Sequence, residues 1–214
     1  ITCDCGITAI AETEYANSKG IDVIITDHHK QGDELPKAHS ILNPNRRECT
    51  YPFKGLCGAG VAFKLATAIC KKLELDPELA WKYCDLVTVA ITADIVPVID
   101  ENRIIVNHGM KLLREGNNPG LTALLNSSGL DQKELTVGRI VFKIAPKINA
   151  AGRLGDAGRA VKLMTTNNPV YAWEMAEKLE KENKRRQDIT QSITEDAIYQ
   201  VNANCNLENE NAIV

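Results

Sequence analysis

Aromatic side chains are scarce in this chain, 5% of 214 residues, which leaves few ring surfaces on which nucleobases could stack. No window approaches the ~18 uninterrupted apolar residues that a bilayer-spanning helix needs, so no membrane is expected as a partner. No basic leader with a cleavage site opens the chain. It starts with Ile1 in place of Met and is expected to be the interior of a longer polypeptide. The seven cysteines (3, 5, 49, 57, 70, 84 and 205) include no C-x-x-C pair. That excludes the usual zinc spacing, and an odd count argues against a disulfide framework, so a reducing cytoplasm is the expected location. An excess of basic charge is also missing. With 25 basic and 28 acidic residues the net charge is −3, which excludes a DNA-binding module held mainly by bulk electrostatics.

What is present is an ordinary globular composition, 44% hydrophobic and 25% charged, with room for one large domain or two small ones. The charge is unevenly spread. Arg139, Lys143, Lys147, Arg153, Arg159 and Lys162 face a single acid, Asp156, and this local excess suits an anionic ligand. After Arg186 only acidic charges remain.

Ile1–Cys3 and Ile21–Thr26 read as short buried parallel strands, with a helix over 8–19 ended by Gly20. Such a strand–helix–strand unit crosses over right-handedly. Ser40–Leu42 reads as a third strand closed by Asn43-Pro44, followed by a loop from Arg46 to Gly55. Helices are expected over 60–73, from Asp76-Pro77 through Leu86, and over 103–115 and 119–127. The apolar run 86–93 reads as strand-like, and glycines 152, 155 and 158 punctuate a turn. No Gly follows Gly158 and no Pro follows Pro169, so one continuous helix is expected over 169–201. Its Glu174/Lys178, Glu177/Lys181, Glu180/Lys184 and Glu182/Arg186 pairs have the favourable i,i+4 order. Cys70 and Cys84, set among apolar residues, are expected to be buried.

Three positions each end an apolar run: Asp4, the triplet Asp27-His28-His29, and Asp94. In open parallel sheets ligands bind at the carboxyl ends of strands, so polar groups just past neighbouring strands converge in space. A lone buried carboxylate is costly, whereas several gathered round a cation compensate one another. A lone Asp at such a place also serves as a helix N-cap, and Asp4 before Gly6 allows that reading. Two histidines behind an Asp at a strand end are harder to account for by structure alone. Cys3 and Cys5 flank Asp4, and strand alternation is expected to turn them into the core.

The segments TCDCG (2–6), VIITDHHK (23–30), CGAGVAFKL (57–65), TADIVPVIDENR (92–103) and PKINAAGRLGDAG (146–158) resemble, in that order, motifs of the DHH phosphoesterase superfamily. Within it they are most similar to the exonucleases specific for single-stranded DNA. The resemblance implies an α/β fold: an open, mainly parallel sheet flanked by helices, followed by a long connector helix. It divides the chain into a phosphoesterase domain (1–165) lacking its first strand and motif, the connector (166–201) and the start of a further domain (202–214).

The function implied is 5′→3′ hydrolysis of single-stranded DNA in repair and recombination, with two divalent cations, Mn²⁺ or Mg²⁺, as cofactors. Asp4 matches the carboxylate bridging both cations, His28 and Asp94 match ligands, His29 faces the scissile phosphate, and Asp27 orients the triplet. Asn149 and Arg153 match the segment that meets substrate phosphates. Gly58 and Gly60 open a helix whose N-terminus suits an anion or tight packing. Mixed carboxylate and imidazole ligands without thiolate agree with Mn²⁺ or Mg²⁺. A monomer working beside a helicase or single-strand-binding protein goes with this reading. Because the family's first acidic motif is not in these residues, the chain by itself is expected to bind metal weakly and to lack nuclease activity. The alternatives are an oligonucleotide or cyclic-dinucleotide phosphoesterase of the same superfamily, or a catalytically dead replication scaffold.

Overall fold

The computed structural model describes residues 1–154 and 157–204, without the side chains of 151–154 and 204. Three short strands, β1 (Thr2–Cys3), β2 (Ile24–Thr26) and β3 (Ser40–Leu42), pair in parallel in that order. Thr2 lies opposite Ile25, and Ile25 opposite Ile41. Between β1 and β2 runs α1 (Ile10–Ser18). The helix stops where Gly20 takes φ +72°. Gly20 N–H donates to Asn17 O and Ile21 N–H to Ala16 O, the paired bonds of a Schellman ending that glycine makes without strain.

The remainder is helical. α2 (Gly58–Lys72) follows the loop after β3; then come α3 (Glu78–Trp81), α4 (Cys84–Ala93), α5 (Asp100–Glu115) and α6 (Pro119–Ser127). The Asn118 side chain caps α6 by accepting from Leu121 N–H, with Pro119 at the first helical position. A 3₁₀ turn at Gln132–Glu134 leads into α7 (Val137–Lys143), α8 (Ala145–Leu154), α9 (Gly158–Thr165) and the long α10 (Pro169–Asn204). Among the described residues, no helix is long and apolar enough to cross a membrane.

Most of the core lies among these helices. Ile91, Leu124, Ile140, Ile144, Leu163 and Leu179 are at most 1% exposed, and burial of each such side chain stabilises by about 1.5–3 kcal/mol. Packing is close enough that Gly109 of α5 cannot carry a side chain, because a Cβ would stand 2.7 Å from the carbonyl carbon of Cys84 in α4.

Several expectations are corrected. The run 86–93 is the helix α4, and the helix begun at Asp76 ends at Trp81. α4 is packed by α2, α5, α7 and α8, so Val87, Val89, Ile91 and Thr92 are all buried. With no wet face the 3.6-residue period is invisible, and β-branched residues then read as strand. Gly152 lies within α8, while Gly155 falls outside the described residues. Ile1, Cys3 and Cys5 are exposed: β1 has no neighbour on its outer side among the described residues, and the chain leaves the extended conformation at Asp4, φ 64°. Cys70 and Cys84 are buried as expected.

The first half of α10 is part of the globular body. Ala172, Met175, Ala176, Leu179 and Asn183 are buried, against α6, α8 and α9. From 187 to 200 every residue is exposed. Glu180 and Glu182, expected to pair along the helix, reach instead to Lys147 of α8 and Arg159 of α9.

Candidate metal centre

Asp4 and Asp27 leave adjacent parallel strands at the same end. Asp4 N–H donates to Thr26 O and Asp27 N–H to Leu42 O, which fixes both residues at the carboxyl edge of the sheet. Asp4 then turns into the left-handed region, which aspartate tolerates better than most residues. It is not a helix cap, since α1 begins only at Ile10. Opposite it, α2 begins at Gly58, so near that a Cβ there would stand 2.5 Å from Asp4 Cα. The positive end of α2 therefore faces the Asp4 carboxylate at the closest range a backbone permits.

Asp27 is 1% exposed, and its carboxylate is fully used within the protein. Oδ2 accepts from Ile7 N–H; Oδ1 accepts from His28 N–H and His29 N–H and meets His29 Nδ1 at 2.7 Å. Burial works against the charge, but these bonds outweigh it and hold the carboxyl below the usual range. The same contact with Asp27 raises the His29 pKa, against a small opposing effect of burial. Asp27 thus contacts both histidines of the triplet through Oδ1 and the start of the next segment through Oδ2. His29, 58% exposed at its side chain, presents its other nitrogen outward.

His28 points the other way, with 13% of its side chain exposed. Its Nε2 lies 3.1 Å from Asp4 Oδ1 and 3.4 Å from Asp94 Oδ2. Neither oxygen stands in hydrogen-bonding alignment, so among the described residues this buried nitrogen has two carboxylate neighbours but no hydrogen bond. Buried polar atoms are satisfied in all but a few cases. Asp94 caps the C-terminus of α4, with its N–H on Ala90 O, where the helix dipole disfavours a carboxylate. A nitrogen between two carboxylates without a hydrogen bond to either, one of them at the wrong end of a helix, is the arrangement a divalent cation would satisfy. Ligand atoms of Asp4, His28 and His29 all lie within 4.8 Å of one another. Oxygen and imidazole donors without thiolate suit Mn²⁺ or Mg²⁺.

The structure thus brings Asp4, Asp27, His28, His29 and Asp94 together, Asp94 from a helix end and not from the expected strand. The two imidazoles diverge in exposure yet stay in contact, with ring centroids 4.5 Å apart. Asn149 is exposed on α8; the Arg153 side chain lies outside the described residues. The basic stretch is less available to an anion than its charge suggested. Lys147 is 3% exposed and bound to Glu180 and Ser128, while Arg139 and Arg159 pair with Glu134 and Glu182.

Two features escaped the sequence reading. Asn43 Nδ2 donates to His29 O and Asn45 Nδ2 to His28 O, while Asn45 N–H donates to Asn43 Oδ1. These asparagines pin the backbone of both histidines. The Asn-Pro-Asn stretch after β3 is the available signal, since by sequence alone it marks no more than a strand end. The second is Asn102, buried in α5 behind the site.

Known proteins resemble the chain over most of its length. Residues 1–91 match the DHH family, N-terminal domain. The chain is 43% identical over 201 residues to the single-stranded-DNA-specific exonuclease RecJ of Bacillus subtilis, covering 94% of this chain and 25% of that protein. It superposes on RecJ of Thermus thermophilus in complex with Mn²⁺ with a TM-score of 0.83 at 34% identity, over 93% of this chain and 30% of that one. For the same organism's RecJ in complex with Mg²⁺ the TM-score is 0.68 at 30% identity, over 81% and 26%. The chain therefore spans between a quarter and a third of the length of these relatives. Over that span it shares the fold of RecJ, and its first 91 residues are similar to the DHH family, N-terminal domain.

Proposed function

We propose that these residues belong to a two-metal-dependent exonuclease that hydrolyses single-stranded DNA in the 5′→3′ direction. The observation that carries this reading is His28 Nε2, buried between the carboxylates of Asp4 and Asp94 without a hydrogen bond to either. In such enzymes a pair of cations about 4 Å apart generates the nucleophile and neutralises the charge on the phosphate.

The residues divide the remaining work. Asp4, 55% exposed at its side chain and central to the cluster, would be shared by both cations, with His28 and Asp94 holding one of them together. Asp27 keeps the triplet in register and fixes the His29 tautomer, with the proton on Nδ1 toward the carboxylate. His29 is then free to meet the scissile phosphate through its outer nitrogen. Asn149 and Arg153 on α8 would contact phosphates further along the strand. Scarce aromatics accord with a grip on the backbone more than on the bases.

The cytoplasm, a role in DNA repair and recombination, and a monomer working with a helicase or single-strand-binding protein complete the proposal. The exposed second half of α10 suits a connector to a further domain. The test is release of nucleotides from 5′-phosphorylated single-stranded DNA by the full-length protein, with Mn²⁺ or after chelation. Activity that needs metal and is lost in Asp4→Ala and His28→Ala supports the reading. Metal-independent activity, or a scaffold-like protein that turns over no DNA, overturns it.

A further inference from the structure

Asn102 stands at the third position of α5 and is 0% exposed. Its Nδ2 donates to Gly55 O at 2.7 Å and to Pro97 O at 2.9 Å. Both acceptors belong to segments that end in the candidate metal centre. Gly55 lies three residues before Gly58, whose backbone abuts Asp4. Pro97 lies three residues after Asp94. The two segments also touch, since a Cβ on Gly55 would stand 3.1 Å from Pro97 Cγ and 2.8 Å from Phe53 Cζ.

The segment between Asp94 and Asn102 is bent in an unusual way. Ile95 has φ 55°, an outlier for a β-branched residue, and Asp100 has φ 48°, which aspartate tolerates better. Strain of this kind persists only where surrounding contacts impose it. Ile95 itself is 81% exposed, so side-chain burial does not impose it. The hydrogen bond from Asn102 to Pro97 O closes the bend from its buried side.

Resting on the metal-site reading above, we propose that Asn102 is a positioning residue that sets the separation of the Asp4 and Asp94 carboxylates across His28. One amide group ties the loop leading to Gly58, and through it Asp4, to the bend that carries Asp94. Its Oδ1 is buried without a partner among the described residues.

The test is Mn²⁺ binding to the full-length protein, read from the electron paramagnetic resonance of free Mn²⁺, beside thermal unfolding of its metal-free form. Asn102→Leu keeps the volume and removes both donors; Asn102→Ser keeps one. Loss of a group that orients metal ligands weakens binding by about 10–100-fold. We expect the Leu variant to fall in that range and the Ser variant to lie between it and the parent, each while still folded. A purely structural asparagine would lower the melting temperature and leave the affinity of the folded protein unchanged, which would overturn the proposal. Failure of both variants to fold even in the cold would overturn it too, because the role would then be in folding. Asp4→Asn and His28→Ala separate the two ideas. If these bind Mn²⁺ like the parent, the metal-site reading is wrong; if they lose binding and Asn102→Leu does not, only the role of Asn102 is.

Discussion

Gly58 and Asp4 meet backbone to backbone. A side chain on Gly58 would stand 2.5 Å from Asp4 Cα, a distance that no relaxation short of moving one backbone can accept. Helix α2 thereby places its first turn against a carboxylate held at φ 64°, and that carboxylate lies 3.1 Å from His28 Nε2. The glycine is required by this close approach and not by its own backbone conformation.

Gly58→Ala is expected to push Asp4 away from His28 and weaken Mn²⁺ binding by about 10-fold or more. Overpacking should also lower stability by about 1–3 kcal/mol. Titration calorimetry beside urea unfolding separates the two effects. A variant that binds Mn²⁺ as tightly as the parent would show that Asp4 is placed by something else.

Asp85, 3% exposed in α4, bears on pH. Burial raises its pKa, and the bond its Oδ1 accepts from Leu86 N–H only partly offsets that. Between the unfolded pKa near 3.8 and the higher folded one the native state binds more proton, so stability falls as pH rises through this window. Asp85→Asn, which keeps an acceptor and removes the charge, should melt a few degrees above the parent at neutral pH. The advantage should shrink as pH is lowered toward the unfolded pKa. Melting curves recorded across that range decide it; a gain that does not vary with pH would contradict this account.

The cysteines should separate by reactivity. Cys3 and Cys5 are exposed, whereas burial pushes the Cys57 thiol up to about 11 and that of Cys84 up to about 12. The thiolate is the reacting form. A maleimide at neutral pH is therefore expected to label Cys5 within minutes, and Cys57 and Cys84 only after unfolding. Peptide mass spectrometry identifies the sites. Early labelling of Cys84 would mean that α4 opens readily.

Lys147 joins α8 to α10 through Glu180 and donates to Ser128 Oγ at 2.5 Å. Lys147→Ala strips a partly buried carboxylate of its cation and removes a buried stem. A loss of about 3 kcal/mol is expected in denaturant unfolding. A loss of under about 1 kcal/mol, the range of an exposed pair, would place the anchorage of α10 in its apolar face alone.

The triplet Asp27-His28-His29 was legible because it combines two local facts: a β-branched run that must be a strand, and adjacent chemistry with no place in a core. Gly20 and Asn118-Pro119 were legible for the same reason, since helix ends are set by a few neighbouring residues. Asp94 was found for a wrong reason. Its preceding run is a helix packed on all sides, and burial all round removes the period that tells helix from strand. Lys147 and Arg159 read as part of an anion-binding face because charge along a chain does not disclose which acids face it. Glu180 and Glu182 lie 33 and 23 residues away and meet them only through the packing of α10.

By itself, then, the sequence singled out Asp4, the Asp27-His28-His29 triplet and Asp94 as candidates and placed several element ends, because those depend on residue type and near neighbours. The tertiary structure alone decided how Asp4, His28 and Asp94 face one another, that the Asp27 carboxylate accepts from Ile7 and both histidines, and that Gly58 abuts Asp4 while Asn102 ties Gly55 to Pro97. Those are distances between segments far apart in the chain. Close packing fixes them, and no local preference of the chain encodes them.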